Sequence, residues 1–384
     1  METRETTQAL LYLMRCVLQG VKPQPIDGLD YDALYRLSIS HSVVAMTAMA
    51  LESGGLLTES YASPVCIKKW KESIVKAIRK NILLDVEREH IFQYFEEQGI
   101  WYMPLKGAIL KDLYPKMGMR QMADNDILFD PAYQHQLKAY MESQGYQATS
   151  FAVGNHDVYE KPPVYNFEFH IALFNEYLYG QWADHYGNIQ PRLQKDPDNG
   201  FGYHFRDEDF YVYFLCHGYK HYSTCGTGIR FLADIYVFLR KKRACMDWDY
   251  IADELNLLNI HEFEMVSQQL AEKLFGTEEY QLSQEEERIL GFFMGSGTYG
   301  TTENRVNREL DEMQKNEGPV TIWTKFRYTW NRLFPDKNFM KASNPFLREH
   351  EWAIPFFWVY RIVRGVFLRR KQIQKELDAI SKAE

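Results

Sequence analysis

Asp124 and Asp126 stand two positions apart in the stretch ADNDILFD. Side chains alternate along an extended chain, so the two carboxylates are expected on one face of a strand. Like charges on one face repel, and the arrangement is costly unless a cation lies between them. Oxygen donors of this kind suit a hard divalent ion, Mg²⁺ or Mn²⁺. A second segment, YNFEFHIALF, also alternates: Tyr165, Phe167, Phe169, Ile171 and Leu173 form an apolar face, and Asn166, Glu168, His170 and Ala172 form the other. Glu168 can supply a third carboxylate to the same ion, with His170 beside it. The plain alternative for both segments is a solvated strand face.

Upstream, Lys106 and Gly107 close the apolar run WYMPL. A glycine after a strand lets backbone N–H groups approach a phosphate, and the start of a following helix favours an anion. Lys106 adds a positive charge. Phosphate on one side and metal carboxylates on the other describe a nucleoside-triphosphate site. Arg120 is expected to brace the carboxylates or the turn. Further on, HGYKH sets His217, Lys220 and His221 on one helical face. Lys220 can meet a triphosphate and the histidines a second substrate. Alternatively, the histidines hold a metal such as zinc, or cap a helix bundle and bond to backbone. Arg230 and Asp234 read as an i, i+4 ion pair, with Arg230 on a phosphate as the other reading.

The elements that must position these groups follow from periodicity. Residues 8–98 read as helix almost throughout, with a long helix over about 65–98 ended by Gly99. The period then changes. IWYMPL, NDILFD, YQATSFAV, DVYEKP and VYNFEFHIALF read as strands, with helices at AILKDLY and at PAYQHQLKAYMESQG, where Pro131 lies in the first turn. Residues 180–206, rich in Gly, Asp, Asn and Tyr, read as a long loop. Helix returns at 208–222, 229–242, 247–257, 261–274, 284–294 and 302–315.

The 384 residues carry a net charge of −8, so any polyanion must be met by a local patch. Five scattered cysteines without metal-binding spacing read as reduced thiols, and cytoplasm is the expected location. The N-terminal segment reads as an amphipathic helix, not a signal peptide. No apolar run is long enough to span a membrane. The tail EWAIPFFWVYRIVRGVFLRRKQIQKELDAI mixes aromatics with Arg361, Arg364, Arg369, Arg370 and Lys371. It reads as an apolar face packed back on the protein, or as a peripheral contact with a membrane or an acidic partner.

The order strand, Lys-Gly turn, short helix and Asp-x-Asp strand resembles the polymerase-β-like nucleotidyltransferase superfamily. More narrowly, PLKGAILKDLYPKMGMRQMADNDILFD, FEFHIAL and FLCHGYKHYSTCGTGIRFLADIYVFL are similar to a bacterial uncharacterised nucleotidyltransferase family, over about 80–350. The resemblance implies an α+β fold: a small mixed sheet flanked by N-terminal helices and a C-terminal helical bundle. It implies a helical region at 1–98, a nucleotidyltransferase-like core at 99–206 and a helical region at 207–384. It further implies Asp124, Asp126 and Glu168 as metal-holding catalytic carboxylates, and Lys106 and Gly107 as the phosphate turn. Ala108 stands where the wider superfamily has Ser or Gly, and Asn125 where an apolar residue is usual. The implied reaction moves an NMP group from an NTP to a hydroxyl, on a small molecule, an RNA end or a protein, with release of pyrophosphate. The rival reading is a non-catalytic nucleotide- or partner-binding module that keeps the fold. A metal phosphohydrolase using the histidines is a third.

Overall fold

The computed structural model describes residues 4–278, 280–317, 321–368 and 370–382. Its fold is α+β, a small mixed sheet set among helices. Five strands form the sheet: β1 (Tyr102–Pro104), β2 (Asn125–Phe129), β3 (Gln147–Ser150), β4 (His156–Lys161) and β5 (Tyr165–His170), in the order β1-β2-β5-β4-β3. The central pair, β2 and β5, is parallel; the other pairs are antiparallel. Alternation sorts the two faces. Ile127, Phe129, Phe167 and Phe169 join Ile91 and Phe95 of the helix Pro64–Gln98 and Leu137 and Met141 of the helix Gln134–Ser143 in one core. The opposite face of β2 and β5 carries Asp126, Leu128, Glu168 and His170.

The long helix is delimited by its own chemistry. Ser63 caps it by accepting from the Cys66 N–H, Pro64 occupies its first turn, and Gly99 ends it at φ 69°. A second helix, Asp207–Tyr222, opens on Asp207, Glu208 and Asp209 and carries Lys220 in its last turn, which matches both ends of its dipole.

Packing joins what the sequence divides at 98 and 206. Leu10 and Met14, Leu105 and Leu128, and Tyr213, Leu232 and Phe275 lie in a single core. Residues 180–206 are more ordered than their composition predicts: they hold a helix, Gly180–Gly187, and a hairpin of β6 (Leu193–Lys195) and β7 (Tyr203–Phe205). Two buried aromatics on one helical face, Trp182 and Tyr186, anchor the segment, and the Trp182 indole donates to the Leu258 carbonyl at 3.1 Å. Arg192 ties the far end to Asp209 and Glu254.

The C-terminal helices form smaller clusters of their own. One gathers Val306, Leu310, Tyr328 and Ala379; another gathers Met340, Leu347, Ala353 and Ile354. Among the described residues no helix is long and apolar enough to cross a membrane. Arg369 lies outside the described residues.

Candidate active site

The Lys-Gly turn is held against β2 by backbone. The Leu105 N–H donates to the Asp126 carbonyl at 2.9 Å, and the Ala108 N–H closes a reverse turn on the Leu105 carbonyl at 3.2 Å. Lys106 sits in this turn at φ 46° and ψ −111°, a region that favours glycine. Such a conformation costs about 1–3 kcal/mol and persists only where the surroundings over-determine it. Here the Lys106 Nζ reaches Asp126 Oδ1 at 2.6 Å, with the two side chains only 12% and 7% exposed. The helix that follows, Gly107–Leu110, is a single turn, and its Ala108 and Ile109 N–H groups are spent on the Leu105 and Lys106 carbonyls.

Gly107 is required by a close approach. A Cβ there would stand 2.6 Å from the Arg120 Nη1 and 2.9 Å from the Met122 Cε. Arg120 in turn is fixed by Asp234, through Nε to Oδ1 at 2.8 Å and Nη2 to Oδ2 at 3.0 Å, and the Tyr114 hydroxyl donates to the same Oδ1 at 2.8 Å. Asp234 is therefore the partner of Arg120 and not of Arg230, its neighbour one turn away. Arg230 donates instead to the Gln121 carbonyl at 3.1 Å. Both contacts join the helix Ile229–Lys242 to the segment leading into β2, an outcome that helical spacing cannot reveal.

Register then assembles the acidic centre. In the parallel pair, Asp126 lies opposite Glu168 and Leu128 opposite His170. One ligand atom from each of Asp126, Glu168 and His170 falls within 4.8 Å of the others, the only such group of three among the described residues. The His170 Nε2 is 2.9 Å from Asp126 Oδ1 and 3.9 Å from Glu168 Oε2. From β4, the His156 Nε2 comes within 3.8 Å of Glu168 Oε2. Asp124 stands outside this group. β2 begins at Asn125, so Asp124 is the residue just before the strand, where the charges of Asp126 and Lys106 still act on its carboxyl.

Residues 27–276 match the model of a family described as "Uncharacterised nucleotidyltransferase". The chain belongs to that family. The matched span contains every residue of the centre just described and stops before the C-terminal helices. No curated protein and no solved structure matches the chain.

Within this nucleotidyltransferase-family chain the charges are strongly biased. Burial alone would raise the Asp126 carboxyl, but the Lys106 ammonium and the His170 hydrogen bond outweigh it and hold Asp126 below the usual range. Burial, and then the charge of Asp126, push Glu168 up to about 8. Asp124 is raised for the same two reasons. Burial and the nearby Lys106 lower His170 to about 4 and Lys220 to about 8. His217 and His221 approach each other at 3.3 Å between their Nε2 atoms, and burial lowers both. The charges of Asp126 and Glu168 act on Lys220 of the helix Asp207–Tyr222 and oppose its lowering.

Glu168 has a consequence for stability. Its folded value of about 8 exceeds the ordinary 4.5, so between those pH values the folded state holds a proton that the unfolded state has lost. Stability contributed by this group therefore falls as pH rises from 4.5 to 8. Glu168→Gln removes the titration. It is expected to stabilise the cation-free protein by roughly 1–3 kcal/mol at pH 9, discounted for the partial exposure of the side chain, and by less at pH 5. Melting temperatures in EDTA across that range check it; a difference independent of pH would contradict it.

Three participants were not visible beforehand. His156 and Tyr213 reach the centre through sheet register and helix packing, which no local pattern encodes. Asn125 was legible only as an oddity at a buried position. It clamps β2 to the long helix, accepting from the Arg88 guanidinium at 2.9 Å and donating to the Leu84 carbonyl at 3.1 Å. Its departure from an apolar type is thus a structural bracket, paired at both ends.

Proposed function

We propose that the chain transfers an NMP group from a nucleoside triphosphate to a hydroxyl acceptor, releasing pyrophosphate, with Mg²⁺ or Mn²⁺ held by Asp126, Glu168 and His170. The observation that carries this reading is the convergence of those three side chains beside Lys106 in a chain of a nucleotidyltransferase family. The donor set fits the ion: two carboxylates satisfy either metal, and the imidazole is compatible with Mn²⁺. When bound, the cation supplies charge neutralisation for the triphosphate and acidity for the acceptor hydroxyl. Asp124 belongs to the proposal as a further carboxylate at the edge of the centre.

The chain's own residues do the rest. Lys106 acts as counter-ion to Asp126 in the empty site and turns its charge to phosphate when nucleotide enters. Lys220, lowered by burial and by Lys106, gains from any anion that lies between the two lysines. Arg230, half-buried and donating to the Gln121 carbonyl, is the third cation assigned to phosphate. Gly107 and Arg120 keep the turn in place. His217 and His221 line the side from which an acceptor would come. The acceptor hydroxyl attacks the α-phosphorus, the bond to the β-phosphate oxygen breaks, and the hydroxyl proton leaves with solvent. A small molecule, an RNA end or a protein side chain each satisfies this chemistry. All five cysteines are unpaired, in keeping with the cytoplasm in which we place the reaction.

Nucleotide binding tests the reading. An NTP at one hundred times its Kd is expected to add roughly 2.7 kcal/mol of stability with Mg²⁺ or Mn²⁺ present. Equal stabilisation in EDTA would exclude the cation. Lys106→Ala is expected to weaken NTP binding about tenfold, or about 1.4 kcal/mol. Titration calorimetry is the suitable readout, because the substitution also strips Asp126 of its partner and lowers stability for that reason. Unchanged affinity would leave Lys106 as a counter-ion of Asp126 only.

A further inference from the structure

The C-terminal helices carry a surface that nucleotidyl transfer does not use. The helix Ile322–Leu333 buries Thr324 and Tyr328 and turns its aromatic side outward: Ile322 is 85% exposed and Trp323 78%. Ring follows ring along it, Trp323 to Phe326 at 6.1 Å, Phe326 to Trp330 at 6.2 Å and Trp330 to Phe334 at 4.5 Å. Phe334 then meets Trp358 at 5.6 Å, which carries the stripe onto the helix Ile354–Leu368. On that helix only Ile354 is buried. Phe356, Tyr360, Val363 and Phe367 recur at helical spacing on one side, and each is half exposed or more. A surface helix normally shows its polar side to water and its apolar side to the core. Here the apolar side faces out, so the packed-back reading of the tail does not hold for this stripe.

Charge identifies the occupant. From residue 321 to the end there are 13 lysines and arginines against 6 aspartates and glutamates, a net +7 in a chain whose total is −8. Arg364 sits inside the stripe, one turn from both Tyr360 and Phe367, and is exposed. A second copy of the same face would set +7 against +7. An anionic membrane supplies negative charge at its surface and an apolar layer just beneath, the two properties that this face combines. We propose that the face binds an anionic lipid surface, with its rings at the acyl boundary and its basic side chains among the headgroups. The inference holds whether or not the site transfers nucleotides.

Sedimentation of the full chain with phospholipid vesicles tests it. The protein is expected to pellet with vesicles containing phosphatidylglycerol, to stay in solution with pure phosphatidylcholine, and to be released by high salt. The triple variant Phe326→Ser, Trp330→Ser, Phe367→Ser is expected to lose binding at least about tenfold with no fall in melting temperature, since all three side chains are exposed. Arg364→Glu is expected to weaken binding and its salt dependence together. Failure to pellet with anionic vesicles, or equal binding by the triple variant, would overturn the proposal. So would a concentration-dependent dimer that the triple variant abolishes, which would assign the face to a second copy.

Discussion

Asp126→Asn is expected to lower turnover at least about a thousandfold. Asp126 makes the two short polar contacts of the centre, to Lys106 at 2.6 Å and to His170 at 2.9 Å, and it faces Glu168 across the parallel pair. Its carboxyl stays ionised because those neighbours outweigh the cost of its burial. Asparagine preserves the shape and one acceptor oxygen but removes the charge. A cation held there would lose one of the two carboxylate charges that the proposed site offers it. The variant also leaves Lys106 as a buried ammonium without a counter-ion, which costs about 3–5 kcal/mol before relaxation. Binding of Mn²⁺, measured separately from unfolding, distinguishes loss of the ligand from loss of the fold. Near wild-type turnover in a folded Asp126→Asn protein would remove the residue from the chemistry.

Arg120→Ala is expected to destabilise the protein by about 3–5 kcal/mol. Arg120 and Asp234 are almost wholly buried and joined by two hydrogen bonds, with the Tyr114 hydroxyl as a third partner of the carboxylate. Removal of the guanidinium strands Asp234 and deletes the group against which Gly107 is packed. The effect is therefore on stability and on the turn together. The double variant Arg120→Met, Asp234→Leu is expected to recover much of the lost stability, because the pair is then replaced by apolar side chains and no charge is left unpaired. Denaturant unfolding of both single variants and the double variant closes the cycle. Additive losses would show that the two residues do not act as a pair.

These two expectations also mark what was legible in the sequence. Local signals were strong. Gly99 ends the long helix, and alternation separates the apolar from the polar face over Tyr165–His170, where the strand stops; Leu173 beyond it joins the other core. Lys106 and Asp126 were both legible as members of one site, and in the fold they meet as an ion pair. The rest depends on contacts between distant parts of the chain. Asp234 chose Arg120, 114 positions away, over Arg230 on its own helix. Nothing in the spacing predicts that choice. Glu168 and Asp126 converge because β2 and β5 are adjacent and in register. In 180–206 two aromatics at helical spacing outweigh a composition suited to loops. The C-terminal stripe was legible as amphipathic, but which side meets solvent is a matter of packing.

The central claim is best tested by incubating the protein with each α-labelled NTP, Mg²⁺ or Mn²⁺, and an extract that supplies acceptors. The account predicts transfer of label to an acceptor with stoichiometric release of pyrophosphate, abolished in EDTA and in Asp126→Asn. Free phosphate would instead mark a hydrolase. Metal-dependent NTP binding without pyrophosphate release, from any NTP or extract, would contradict the account and make the chain a binding module that keeps the fold.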